Sequence, residues 1–314
     1  MKKKFQNSIR IEGYVYQHTL EEKTVQNKTS ENFGKPFING SVWVATDEDG
    51  LNVVEVHYSY VTPMTKKNTE NTTYKNLKKI MEGATWVADG KENALRVILS
   101  PTIALNDFFD KDDKPVAAKR AEGGFVTICT PKDVFNSDES KRSAFDVEML
   151  ITSVKMVDAD EEKGYDAYAE VRGCVFDFRN AVLPVDFRIR DPKGMDYMLD
   201  LGATPAEPKA LRLWGKIISE TTTVEVTEES AWGEALVKQV QRNHKEWLIT
   251  GSKETENEFG DEELITADEL KAKMQEREVY LATVKKRADD YKAQKAGGAA
   301  PAAAPVVAET GFNF

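Results

Sequence analysis

Two regions of the chain set flat aromatic rings beside cations at strand spacing. In "FDFRNAVLPVDFRIRD", Leu183, Val185, Phe187 and Ile189 alternate with Arg188 and Arg190, and Phe176 and Phe178 share a face with Arg172 just upstream. Nearer the N-terminus, Tyr14, Tyr16, His18, Trp43 and His57 fall opposite apolar positions, with Arg10, Lys23, Lys28 and Lys35 close in sequence. Rings on a strand surface can stack on nucleobases while neighbouring cations meet phosphates, which is the chemistry of single-stranded nucleic-acid binding. Each residue alone also has a plain structural reading. An aromatic on a strand commonly packs across to its neighbour, and a lone Arg commonly faces water. The combination, repeated in both halves, carries the functional reading.

The elements that would hold these residues are mostly strands. "IRIEGYVYQ" places Ile9, Ile11, Gly13 and Val15 on one face and Arg10, Glu12, Tyr14 and Tyr16 on the other. "NGSVWVAT", the turn signal "EDG" and "LNVVEVHYSYV" predict a hairpin, with Val54, Val56, Tyr58 and Tyr60 inward. Tyr74, Leu77, Ile80 and Met81 are spaced for a helix that Gly83 stops. "TWVAD", "ALRVILS" and "GGFVTICT" read as further strands. The second half repeats the order: "FDVEMLITSVKMV", "YDAYAEVRGCVFDF" and "AVLPVDFRIRD" as strands, residues 194–202 as a short helix, then "ALRLWGKIIS", "TTTVEV" and "HKEWLITGS".

Three strands, a helix and two more strands is the order of the OB-fold. The expected fold is therefore mainly β: two tandem OB-fold-like barrels, a charged helix and a disordered C-terminal tail. The expected boundaries are 1–135 and 145–252 for the barrels, 253–296 for an acidic linker and the charged helix, and 297–314 for the tail. Gly13 and Gly173 sit where a barrel strand could bend, Gly173 in a second strand. An immunoglobulin-like sandwich competes as a fold, but it has no place for the Leu77 helix.

Composition narrows the function. The chain has 314 residues, 40% hydrophobic and 31% charged, with a net charge of −10. Its first 250 residues hold 40 acids against 34 bases, so any basic groove must be local. Cys129 and Cys174 lack metal-ligand spacing and read as reduced thiols. There is no phosphate-binding Gly loop, no Gly-x-Ser-x-Gly elbow and no His-x-x-x-His among His18, His57 and His244. The carboxylates of "DKDDKP" and "DADEE" lack EF-hand spacing and read as solvated turns. The expectation is a non-enzyme without cofactor or metal. With no apolar h-region and no membrane-length stretch, it is placed in the cytoplasm, or the host cytoplasm if viral, away from membranes.

After Gly251 the chain turns acidic, with eight acids and no Lys or Arg from Glu254 to Glu269. "TADEL" then caps a helix with only a thin apolar stripe, Leu270, Met274, Tyr280, Leu281, Val284 and Tyr291. "GGAAPAAAP" follows as a linker, and the chain ends in "ETGFNF".

This layout resembles bacteriophage-type single-stranded DNA-binding proteins, in which OB barrels are followed by a flexible acidic arm and a terminal Phe. "LRLWGKI" is similar to a strand of that family. The resemblance implies a protein that coats and protects single-stranded DNA in replication or recombination. It further implies that Phe314, with Phe312 beside it and Glu309 nearby, recruits replication or recombination proteins. The chain departs from the family in placing its acids far upstream of the tip. A second reading, a β-barrel structural part of a virus particle, stays open at this stage.

Overall fold

The structure is a computed structural model and describes residues 4–160, 166–228, 232 and 236–296. In chain order it comprises β1 (Asn7–His18), β2 (Glu21–Thr24), β3 (Pro36–Ala45), β4 (Val53–Val61), α1 (Thr72–Glu82), α2 (Trp86–Asp89), β5 (Arg96–Phe109) and β6 (Pro115–Ile128). There follow β7 (Ser143–Val157), β8 (Tyr168–Phe176), β9 (Val182–Ile189), α3 (Pro192–Asp200), β10 (Lys209–Glu228), β11 (Leu236–Glu254) and α4 (Ala267–Ala296). The fold is mainly β. No helix among the described residues is long and apolar enough to cross a membrane.

All strands join one sheet, in the order β10-β11-β9-β8-β7-β1-β5-β6-β4-β3-β2. Two further pairings, β1 with β3 and β7 with β10, return the sheet on itself in each half. One contact in each half is parallel: β4 with β6 at Val56↔Ala121, and β9 with β11 at Leu248↔Arg188. The halves meet where β1 pairs with β7, from Asn7↔Val147 to Ile11↔Ser143.

Side-chain alternation explains these strands. In β4, Val54, Val56, Tyr58 and Tyr60 are buried, while Glu55, His57 and Ser59 face outward. In β9, Val185, Phe187 and Ile189 are buried between outward-facing Asp186 and Arg188. Each such apolar side chain contributes about 1.5–3 kcal/mol by leaving water. In α1, the Asn71 side chain accepts from the Thr73 N–H, Tyr74, Leu77 and Ile80 are buried, and the Gly83 N–H donates to the Ile80 carbonyl.

Gly13 and Gly173 are demanded by close approach. A Cβ at Gly13 would stand 2.0 Å from the Ala45 carbonyl oxygen, where β1 crosses from β5 to β3. One at Gly173, in β8, would stand 2.0 Å from the Leu150 oxygen, beside the irregular register at Ile151.

The structure departs from sequence expectation at several places. β2 is a short strand that was not expected, so four strands and not three precede α1. "TWVAD" is the short helix α2, not a strand. Asp89 accepts from the Thr85 N–H through its carboxylate and donates its own N–H to the Thr85 carbonyl, and this local closure outweighs the β preference of Trp and Val. "TTTVEV" is not a separate strand but the continuation of β10, which runs 20 residues against β11. The segment before α4 is not a bare linker. Leu264 and Ile265 are buried with Leu150, Cys174, Phe176 and Val182, and Phe5 stacks on Phe176 with ring centroids 4.1 Å apart.

Phe176 is fully buried in that cluster. Phe176→Ala is therefore expected to cost about 3–5 kcal/mol of folding stability. Urea unfolding checks this, and a loss under about 1 kcal/mol would show a site that collapses freely.

Candidate nucleic-acid interface

A hollow of about 1040 Å³ lies over the outer face of the first half. Its floor is Asn39 on β3, His57 and Ser59 on β4, and Arg120 and Glu122 on β6. One wall is the β5–β6 hairpin with Phe108 and Phe109, another the turn after β8 with Phe178 and Arg179. α4 forms the roof, with Lys273, Arg277, Tyr280, Arg287 and Tyr291.

The roof is fastened by polar contacts. Arg277 reaches both carboxylate oxygens of Asp107 at 2.6 and 3.2 Å, with the two side chains 11% and 3% exposed. Lys292 meets Asp113 at 2.7 Å. Lys273 donates to the Asn180 carbonyl at 2.7 Å. "DKDDKP" is the β5–β6 turn: Asp110 accepts from the N–H groups of Asp112 and Lys114, as expected of a solvated turn. "DADEE" falls partly outside the described residues.

On the floor, the Ser41 hydroxyl donates to Glu55 at 2.7 Å and lies 3.1 Å from His57 Nδ1. Burial pushes the His57 imidazole below its ordinary value, and the charge of Arg120 adds to this. The Arg120 guanidinium meets Glu122 at 2.7 Å. Arg120 and Arg277 thus spend their charge on carboxylates of the chain itself. Lys273, by contrast, meets only a carbonyl, and Arg287 has no hydrogen-bond or ion-pair partner among the described residues.

The site residues expected from sequence fall in several places. His57 and Phe178, the latter 44% exposed, both line the hollow. Arg188 lies on the outer face of β9 and Arg190 just past its end, their guanidiniums 4.5 and 5.6 Å from the Tyr168 ring centroid. Buried Glu246 holds Arg190 at 3.1 Å and Arg188 at 4.0 Å. Arg172 joins that face opposite Asp186 and pairs with Glu170. Tyr14 and Tyr16 instead gather around Trp86, at 5.8 and 6.2 Å, with Lys91 over Tyr14 and Trp86. Arg10 pairs with Glu12 at 2.6 Å. Trp43 is half-buried on β3, opposite Gln17 of β1.

Phe176 is a correction. It shares the strand with Arg172, but Phe5, Leu264 and Ile265 cover that end of the face, and no base can stack on it. Cys174 is buried beside it, and burial pushes its thiol up to about 11; Cys129 is half-buried. Phe312, Phe314 and Glu309 lie outside the described residues.

Sequence reading missed Phe108, Phe109, Arg179 and the cations of α4. A signal for α4 existed. Lys273, Arg277, Tyr280, Val284, Arg287 and Tyr291 recur every three or four residues, a single helix face mixing rings with cations.

The lowered His57 value has a consequence for stability. An unfolded His takes up its proton near 6.5, whereas the folded one resists until lower pH. Its contribution is therefore complete above about 6.5 and fades as the pH falls below it. Denaturant midpoints measured from pH 7 down to about 5.5 should decline, and less so in His57→Gln. An identical decline in both proteins would remove His57 as a cause.

No curated protein matches this chain. Among solved structures it is similar to a deletion mutant of the single-stranded DNA binding protein from Thermus aquaticus, with a TM-score of 0.46 and 8% identity, over 82% of this chain and 98% of that one. A family model described as YorF matches residues 6–287, which is most of the sequence and spans both halves of the sheet together with the greater part of α4; the chain belongs to the YorF family.

Proposed function

We propose that the chain is a single-stranded DNA-binding protein built on two tandem OB barrels. It coats and protects single strands during phage replication or recombination, and its chemistry is binding alone. The observation that carries this reading is the hollow beneath α4. It offers Phe108, Phe178, Tyr280 and Tyr291 as ring surfaces, with Arg179, Lys273 and Arg287 as cations on the same lining. Rings tolerate any base, and cations meet phosphates whatever the sequence. The strand order supports the barrels: in the second half three strands precede a helix and two follow it, the first half has the same order with the short β2 added, and in each half the strand before the helix is in parallel contact with the last strand. The face of Arg172, Arg188 and Arg190 would extend the track into the second half. Residues 309–314, with Phe312 and Phe314, would recruit replication or recombination proteins.

The three cations named above predict a shallow salt response. The slope of log Kobs against log salt should be about −2, at roughly 0.7 per phosphate contacted on a single strand. Quenching of tryptophan fluorescence by oligo-dT across a salt series measures it, and duplex of equal length should bind far more weakly. Equal affinity for duplex and single strand would sink the reading.

Phe178→Ala should weaken oligo-dT binding by about 1–3 kcal/mol while the circular dichroism spectrum stays native. Arg188→Ala should also weaken it if the second half contributes. Deleting residues 309–314 should leave oligonucleotide affinity unchanged and abolish retention of replication proteins on the coated strand. Undiminished retention would show that the two terminal Phe have no recruiting role.

A further inference from the structure

We propose that α4 is a strap that closes over the bound strand, so that the protein encloses single-stranded DNA instead of offering it an open face. This rests on the single-strand reading above and adds how the strand enters and leaves.

Three observations carry it. The first is the void. Protein interiors are close-packed, and a helix docked for stability alone settles onto its sheet. Here about 1040 Å³ stays open between α4 and the floor at His57 and Ser59. The second is the character of the inward face. A helix that only packs presents aliphatic side chains to the sheet. α4 lines the hollow with only two aliphatic residues, Val284 and Ala288, and otherwise with the rings Tyr280 and Tyr291, the cations Lys273, Arg277 and Arg287, and the acids Glu276 and Asp290. Lys273 is held there by a carbonyl alone, and Arg287 has no partner among the described residues. Cations with no bonded carboxylate beside a void suit an anion, and interleaved rings suit bases.

The third is how α4 is attached. Its root is firm: Leu264 and Ile265 are buried, and Leu270 packs on the same cluster. Thr266 and Glu269 cap the first turn reciprocally. The Thr266 N–H donates to the Glu269 carboxylate at 3.0 Å, and the Glu269 N–H to the Thr266 hydroxyl at 3.3 Å. Beyond the root the fastenings named are polar. The Arg277–Asp107 pair is shielded, whereas the Lys292–Asp113 pair near the far end is half-exposed. Exposed pairs are weak and screened by salt. The arrangement is that of an arm pivoting at 266–267, with a latch at Lys292. A linear strand can thread beneath a closed arm by its end; a closed circle enters only when the arm lifts.

The test uses the full chain carrying Asp113→Cys and Lys292→Cys with Cys129→Ser, the pair joined by a short bismaleimide. Joined before mixing, it should bind linear oligo-dT but fail on a covalently closed circular single strand. Joined after loading on the circle, it should stay through a wash at about 1 M salt, where exposed charges are screened, and come off once the circle is nicked. As a milder variant, Lys292→Glu should release circles several-fold faster than the parent chain. The strap is overturned if protein joined beforehand binds circles like the unjoined protein. It is equally overturned if the complex joined afterwards washes off, or if Lys292→Glu leaves release unchanged. If the unjoined parent binds neither oligo-dT nor circles, the single-strand reading itself fails, and the strap fails with it.

Discussion

One strand with three partners holds this molecule together. β1 pairs with β7 through residues 7–11, with β5 through 11–14 and with β3 through 14–18. It can change partners within so few residues only because Gly13 lets the Ala45 carbonyl come within the space a Cβ would occupy. Two asparagines reinforce the junction. Asn7 donates to the carbonyls of Ile103 and Phe176 and accepts from the Ile103 N–H. Asn52 accepts from the Ser219 N–H and donates to Ser143 and the Ile217 carbonyl. The Asn7 amide satisfies backbone groups of both halves, and the Asn52 amide ties the first half to backbone groups of β10. Lys119 adds a third tie. It crosses from β6 to lie 4.4 Å from the Phe187 ring centroid, where burial pushes its ammonium down to about 8.

Electrostatics shapes the hollow as much as its rings do. The chain is acidic, and its strongest cations there are spoken for by Glu122 and Asp107. His57 is neutral near pH 7, because burial opposes its charging. What is left for a ligand is a small number of cations set among aromatic faces. On the proposed function, such a surface would discriminate against stiff duplex, whose affinity rests on many phosphate contacts, and favour a flexible strand whose bases can turn outward to stack.

Much of the fold was legible in the sequence because burial has a period. Alternation identified β4 and β9, and the spacing of Tyr74, Leu77 and Ile80 identified α1 with its Gly83 stop. The order of three strands, a helix and two strands was readable in the second half, whereas the first half adds the four-residue β2, too short and too polar to show a period. What failed shares one cause. Periodicity says which face a residue shares, but not what lies across from it. Phe176 was correctly placed on a strand, yet the residues that cover it come from the two ends of the chain. α4 looked solvated because its partners, Asp107 and Asp113, are 170 and 179 residues away from Arg277 and Lys292. α2 was misread because Trp and Val favour strands, while a carboxylate four residues on closes a turn.

The shared strand also sets a timetable for synthesis. Asn7 bonds to Phe176, 169 residues later in the chain, and Phe5 waits for that same ring. A nascent chain that has delivered only the first half can close β1 with β3 and β5, but the stretch of β1 that belongs to β7 leaves the ribosome unpaired. An open strand edge is a template for pairing with other chains, and such exposure during translation favours aggregation. On a polysome, where identical half-made chains sit side by side, the first half is safest when the second follows without pause. A translational stall between β6 and β8 would therefore harm this protein more than one placed after β11.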